Sequence, residues 1–387
     1  MREVYLDYAA TSYRKPQAVI DVMTSYWQNN QMYSPGRGGY AGALQASRLL
    51  LHARTLIAEL FRVQNSEQVI FTAGITEALN VCIKGLLRKG DHVVTSSMEH
   101  NAVIRPLAHL QRDHFCTYTA VNCDRQGRLD PDRLEAAIQP TTTMLILTHA
   151  ANLTGTLMPI AEAAEIAKRH QLDYILDTAQ TAGLYDLDFA ALSPAALTFT
   201  GHKSLMGPQG SGGFVVSQEA ATRMNSLIQG GTGSRSHEIY QPDFLPDQFE
   251  AGTFNMPGII GLSAAVEWIL QQTPKALLQQ ETDLFSFFLD GLRRIPSLQI
   301  YGPADAALQT PTVSVTIKQL DCAAFSYRLS EEFGIATRSG LHCAPLAHQT
   351  IGTYPSGTVR FSLGHFTTKD ELLYTLDAIE QISSHQS

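Results

Sequence analysis

The chain has no apolar run near the ~20 residues that cross a bilayer. Its longest runs, such as "MLIL" from Met144, have the length of strands. The opening "MREVYLDYAATS" lacks the hydrophobic region of a signal peptide and reads as a short strand and a turn. A cytoplasmic location without a membrane partner is therefore expected. Positive charge is also short: 28 Lys and Arg stand against 36 Asp and Glu, a formal net charge of -8 and a pI near 5.9. That balance argues against direct nucleic-acid binding and against capture by anionic lipid. Cysteine is sparse, with five residues and no CxxC spacing, so free thiols are expected rather than a disulfide framework. Two nucleotide-binding signatures are missing. His202 stands directly before Lys203 where a P-loop needs glycine, and no GxGxxG follows a strand. There is no internal repeat and no low-complexity segment.

What is present fits an ordered α/β protein. The 387 residues are 44% hydrophobic and 17% charged, enough for two domains with sizeable cores. From residue 69, short β-rich runs alternate with stretches of helical apolar spacing. "QVIFTAG", "DHVVTSS", "HFCTYTAV", "TTMLILTHA", "DYILDTAQ", "ALTFTGHK" and "GGFVVS" predict a mainly parallel sheet of six or seven strands covered on both faces. "TEALNVCIKGLLRKG" predicts a helix closing on Gly90. After Gly252 the texture changes to amphipathic helices and the strands "TPTVSVTI" and "GTVRFSLG". The expected division is a large domain, 16–254, and a smaller α+β domain formed by 1–15 plus 255–387. Open parallel sheets bind ligands at the carboxyl ends of their strands, and several motifs fall there.

"FTAGITEALN" places the N–H groups of Gly74, Ile75 and Thr76 at a helix start, either an anion cradle or an ordinary capped terminus. "YILDTAQ" ends an apolar strand on Asp177, a turn residue or a placed charge, with Gln180 just beyond. "LTFTGHKS" brings Thr200, His202 and Lys203 to another strand end, where Lys203 is either solvated or a Schiff-base amine. "SMEHNAV" adds His100, a structural histidine or one that stacks on a planar ring. A phosphate cradle, a stacking imidazole, an acid and an amine together are the parts of a pyridoxal-phosphate site. Near the C-terminus, "RSGLHCAPLAH" leaves Cys343 three fates: metal ligand with His342 and His348, buried thiol, or nucleophile. Zinc ligands usually come in closely spaced pairs, and neighbouring His342 and Cys343 do not easily point at one ion.

The order "FTAGITEALN", "MEHNA", "THAANLTGT", "ILDTAQ", "TGHKSLMGPQGSGG", "FEAGT" and "RSGLHCA" resembles the class V aminotransferase group of pyridoxal-phosphate enzymes. Within it the chain is similar to cysteine desulfurases of the second type, a group that also holds selenocysteine lyases. The resemblance implies the type I fold of these transferases. It also implies conversion of L-cysteine to L-alanine, with sulfur passed to Cys343 as a persulfide and on to an acceptor protein. L-selenocysteine is the alternative substrate; transamination or cystine cleavage is the alternative chemistry. By the same resemblance Lys203 carries pyridoxal 5'-phosphate, Asp177 pairs with its ring nitrogen, Gln180 touches the ring hydroxyl and His100 stacks on the ring. Ile75, Thr76, Thr200 and His202 bind the phosphate, and Thr253 reaches the phosphate of a second subunit in a homodimer with shared active sites. Asn152, Arg338 and Arg360 hold the substrate, and His342 and Arg338 are candidates for favouring the Cys343 thiolate. A short connection from Cys343 to the strand of Arg360 goes with delivery to a dedicated acceptor. The sequence departs from the common pattern at Ile75, where threonine is usual, and at Asn101 and Leu341, where histidines are frequent.

Overall fold

Seven short runs rich in Val, Ile, Leu and Phe pair into one sheet in the computed structural model, which describes residues 2–29, 33–36 and 38–384. Their spatial order is Val69–Thr72, Gly212–Val216, Ala196–Thr200, Asp173–Asp177, Thr142–Thr148, His92–Ser96 and Thr117–Val121. Six point the same way, and Gly212–Val216 is antiparallel to both of its neighbours. The apolar runs are near-continuous because both faces are covered. Side chains alternate across the sheet: Leu145 and Leu147 enter one core, while Met144 and Ile146 enter the other. The first core is closed by Ala53 and Ile57 of helix Ala41–Leu60 and by Ile259, Val266 and Ile269 of helix Met256–Gln272. The second is closed by helices Ile75–Leu86 and Asn101–Arg112.

A separate four-stranded antiparallel sheet has the order Arg338–Gly340, Thr358–Ser362, Thr312–Ile317 and Leu298–Tyr301. Phe285, Phe288, Phe325, Phe361 and Ile379 form its own apolar core. The N-terminal strand Val4–Tyr5 pairs in parallel with Ile335–Ala336, and Asp7 bridges to Ser362. Among the described residues no helix is long and apolar enough to cross a membrane.

This architecture brings Ser96, Thr148, Asp177 and Thr200, each the last residue of its strand, to one edge of the large sheet. The N-terminal segment and the strand of Arg360 meet that edge from the other side.

Candidate active site

The helix Ile75–Leu86 begins without a side-chain cap, so Thr76 does not close its own terminus. The turn before it is fixed locally: Thr72 Oγ1 donates to Gly74 O at 2.9 Å, and Ala73 N–H donates to Glu77 at 2.8 Å. A Cβ on Gly212 would lie 2.8 Å from Gly74 Cα, so the neighbouring strand must be glycine to let the turn approach. Thr200 Oγ1 sits opposite, 3.9 Å from where a Gly74 Cβ would be. The outcome is an open helix N-terminus with a hydroxyl beside it, the geometry of an anion site.

Next to it lies a cavity of about 220 Å³ lined by Ile75, Thr76, His100, Asn152, Asp177, Gln180, His202, Lys203, Arg338, His342 and Arg360. Asp177 is 2% exposed and accepts one hydrogen bond, from Ala179 N–H at 2.8 Å. Burial raises its carboxyl above the usual range, and Lys203 opposes that rise. Burial pulls Lys203 down to about 8, against the pull of Asp177. His100 caps helix Asn101–Arg112, with Nδ1 accepting from Ala102 N–H at 3.0 Å, which leaves the proton on Nε2. Burial first, and then Lys203, hold its ring down to about 4, so the imidazole is neutral. Gln180 is anchored by its side-chain amide to Ala9 O at 3.2 Å. The N-terminal segment also holds His202, whose carbonyl accepts from Ser12 N–H at 2.7 Å and whose Nδ1 lies 3.1 Å from Thr11 Oγ1.

Two buried polar atoms in this cavity have no protein partner: Asn152 Oδ1 and Arg360 Nε. Arg360 is 1% exposed. It donates through Nη1 to Asn152 O at 2.9 Å and through Nη2 to Asp7 Oδ1 at 2.6 Å. Asp7 has no place in the motif reading; the only signal was an acid inside the otherwise apolar opening "VYLDYAA".

Cys343 lies outside this lining, on an exposed turn. Its Sγ is 3.7 Å from Arg338 Nη2, so Arg338 faces both the cavity and the thiol. His342 and Cys343 both adopt left-handed backbone, φ 48° and 56°, at a cost of about 1–2 kcal/mol each. The turn is held by its carbonyls: His342 O accepts from Asn152 Nδ2, and Cys343 O accepts from Asn101 N–H, both at 2.8 Å. His342 has no free ring nitrogen, since Nε2 meets Arg338 O and Nδ1 meets His348. This removes His342 as a direct base for Cys343 and leaves Arg338 as the charge beside the thiol. Among the described residues no three His, Cys, Asp or Glu side chains gather as metal ligands.

Thr253 is exposed and does not line the cavity. It borders a separate depression with Thr72, Ala73 and Glu77, on the flank of the phosphate-type turn. Its segment is tied to the large sheet by Glu250, which pairs with buried Arg54 and accepts from Phe71 N–H at 2.7 Å. Neither member of that pair was identified from sequence. The connection expected as a short loop after Cys343 contains helix Pro345–Ile351, started by Pro345 and ended by Gly352 at φ 82°.

The family model described as "Aminotransferase class-V" matches residues 4–374. A probable cysteine desulfurase of Methanothermobacter thermautotrophicus is 31% identical over 384 residues, covering 98% of this chain and 94% of the relative. A cysteine desulfurase IscS of Dictyoglomus turgidum is also 31% identical, with coverage of 98% and 94%. Among solved structures, the apo cysteine desulfurase of Thermococcus onnurineus superposes with a TM-score of 0.93 at 27% identity, over 99% of this chain and 95% of that one. The cysteine desulfurase CsdA of Escherichia coli superposes with a TM-score of 0.87 at 26% identity, over 99% and 95%.

Proposed function

This chain belongs to the aminotransferase class-V family of pyridoxal-phosphate enzymes, and we propose that it moves the sulfur of L-cysteine to Cys343 and on to an acceptor protein. One observation carries the reading: Lys203 and buried Asp177 line the same cavity as Arg338, whose guanidinium also touches the exposed thiol of Cys343.

The residues fit the cofactor. An uncapped terminus at Ile75 and Thr76, flanked by Thr200 and His202, suits a phosphate dianion. Asp177, buried with one hydrogen bond, suits a ring nitrogen that must stay protonated. His100 offers a neutral ring for stacking, and Gln180 offers an amide to the ring hydroxyl. When bound, pyridoxal phosphate supplies an electron sink for a substrate carbanion. Lys203 would hold it covalently and, when its amine is free, would carry the substrate α-proton, since burial brings that amine down to about 8. Arg360 offers the unpartnered Nε–H to the α-carboxylate, and Asn152 Oδ1 is open to accept beside it.

Cys343 acts as thiolate, the nucleophilic form of the residue. Its sulfur bonds to the substrate sulfur while the substrate Cβ–S bond breaks. The electron pair left on carbon takes a proton, giving L-alanine, and the transferred sulfur remains as a persulfide on Cys343. A turn pinned at Asn101 and Asn152 has little freedom to swing, so an acceptor must come to the rim. Thr253, outside the cavity of its own chain, is assigned to the phosphate site of a second copy in a homodimer. Exposed Trp27, Tyr40, Leu44 and Leu51 supply apolar surface for that contact.

The test uses two variants. Lys203→Ala is expected to fold but lack the yellow cofactor absorbance. Cys343→Ala is expected to keep the absorbance and lose cysteine-dependent sulfide. A Cys343→Ala protein that releases sulfide at the wild-type rate overturns the nucleophile assignment.

A further inference from the structure

Behind the Cys343 turn lies a buried chain of polar groups. His348 is 0% exposed and His342 is 3% exposed. Their rings are nearly parallel, with planes within 15° and centroids 5.6 Å apart. His342 Nε2 is 3.1 Å from Arg338 O, an acceptor only, so that nitrogen carries the proton and Nδ1 is the acceptor. His348 Nε2, 3.4 Å from His342 Nδ1, is therefore the donor. His348 Nδ1 is left to accept from the Thr353 hydroxyl at 2.6 Å. Every tautomer in the chain is thus set by the next group, and both rings are neutral. Burial agrees, holding His348 down to about 4 and His342 to about 3.

The far end of the chain is equally fixed. The carbonyl of His348 accepts from Gly352, Thr353 and Tyr354 N–H at 3.0, 2.9 and 3.2 Å, which seats the Thr353 hydroxyl against the ring. Helix Pro345–Ile351 thereby becomes a strut, with His348 on its inner side and the Cys343 turn at its start. His342 and Cys343 hold backbone angles that side-chain-bearing residues rarely adopt. Hydrogen bonds from Asn152 and Asn101 hold the turn by its carbonyls, and the imidazole chain adds a buried contact that reaches it from behind through the His342 ring.

We propose that His348, seated by Thr353, is a positioning residue for sulfur transfer: through His342 it holds the left-handed turn that keeps the Cys343 thiol beside Arg338. This rests on the desulfurase reading above. Thr353→Val removes the hydroxyl at nearly constant volume, and Thr353→Ser restores it. His348→Phe keeps a planar ring but loses both nitrogens. In the cofactor-loaded protein, Thr353→Val and His348→Phe are expected to lower kcat for alanine formation from L-cysteine about tenfold, the worth of one buried hydrogen bond. KM and the cofactor absorbance are expected to stay at wild-type values, and Thr353→Ser is expected to recover kcat. Amide hydrogen exchange is expected to speed up in the segment 338–345 and to stay unchanged across the large sheet. Wild-type kcat and exchange in both variants overturns the proposal. So does a parallel loss of kcat, KM and absorbance that Thr353→Ser fails to rescue. If the wild type forms no alanine from L-cysteine, the desulfurase reading falls, and the exchange arm still decides whether His348 holds the turn.

Discussion

Asp7→Asn is expected to weaken the free protein and tighten its hold on a carboxylate. Arg360 is almost fully buried, and Asp7 is its ionic partner at 2.6 Å. The amide keeps an acceptor oxygen but removes the charge, leaving a buried guanidinium without a counter-ion. Severing a buried pair by removing one partner costs about 3–5 kcal/mol. Asp7 keeps 19% side-chain exposure, and the amide still accepts a hydrogen bond, so a loss of about 2 kcal/mol is the better figure. A bound α-carboxylate restores the missing charge. If half the loss is returned on binding, about 1 kcal/mol, the dissociation constant of L-alanine falls about fivefold. The assay is a titration of the cofactor absorbance with L-alanine, beside thermal melts with and without it. Weaker L-alanine binding at an unchanged melting temperature would refute the reasoning, because Asp7 would then be orienting Arg360 rather than competing with the substrate.

Further expectations concern stability. Glu250→Ala strands buried Arg54 and the Phe71 N–H, so the unfolding free energy from denaturant titration falls by about 3–5 kcal/mol. Asp186→Ala, which breaks an exposed pair with Arg62, shifts it by less than about 1 kcal/mol. The melting temperature is expected to peak near pH 6.5. Burial holds His149 and His348 down to about 4 and His342 to about 3, so the unfolded chain takes up protons first as pH falls below 6.5, and stability is lost. Burial pushes Glu99 and Glu281 up to about 8, so the unfolded chain ionises first as pH rises from 4.5, and stability is lost towards 8. Between 4.5 and 6.5 the two effects oppose; His100 and His202 are also held down to about 4 and Asp177 and Glu250 are also pushed up by burial, so the imidazoles still outnumber the carboxyls. A melting temperature that climbs steadily from pH 5 to pH 8 would contradict this balance.

The strand ends were legible because apolar runs broken by small and polar residues have few other readings in a parallel sheet. "YILDTAQ" placed Asp177 at a strand terminus, and the strand Asp173–Asp177 ends there. Boundaries set by side chains were less visible. The helix expected to run to Gly90 stops at Leu86, because Arg88 turns back to the carbonyls of Gly85, Leu86 and Leu87 while Asp91 takes its N–H. The Asp7–Arg360 pair joins residues 353 positions apart, and no local pattern marks it. His348 was visible as a residue but was read as a metal-ligand candidate; its ring partners emerge only when helix Pro345–Ile351 folds it back onto His342. Cys343 was identified by its loop composition, whereas its separation from the cavity lining depends on backbone angles the sequence does not announce.

The central claim is that sulfur leaves L-cysteine for Cys343. The most direct measurement is a persulfide-trapping mass spectrum of the cofactor-loaded protein after addition of L-cysteine. One added sulfur on the peptide that contains Cys343, with L-alanine formed alongside, is the predicted result. Added sulfur on the partly exposed Cys322 instead, or L-alanine formed with no persulfide on any cysteine, would contradict it.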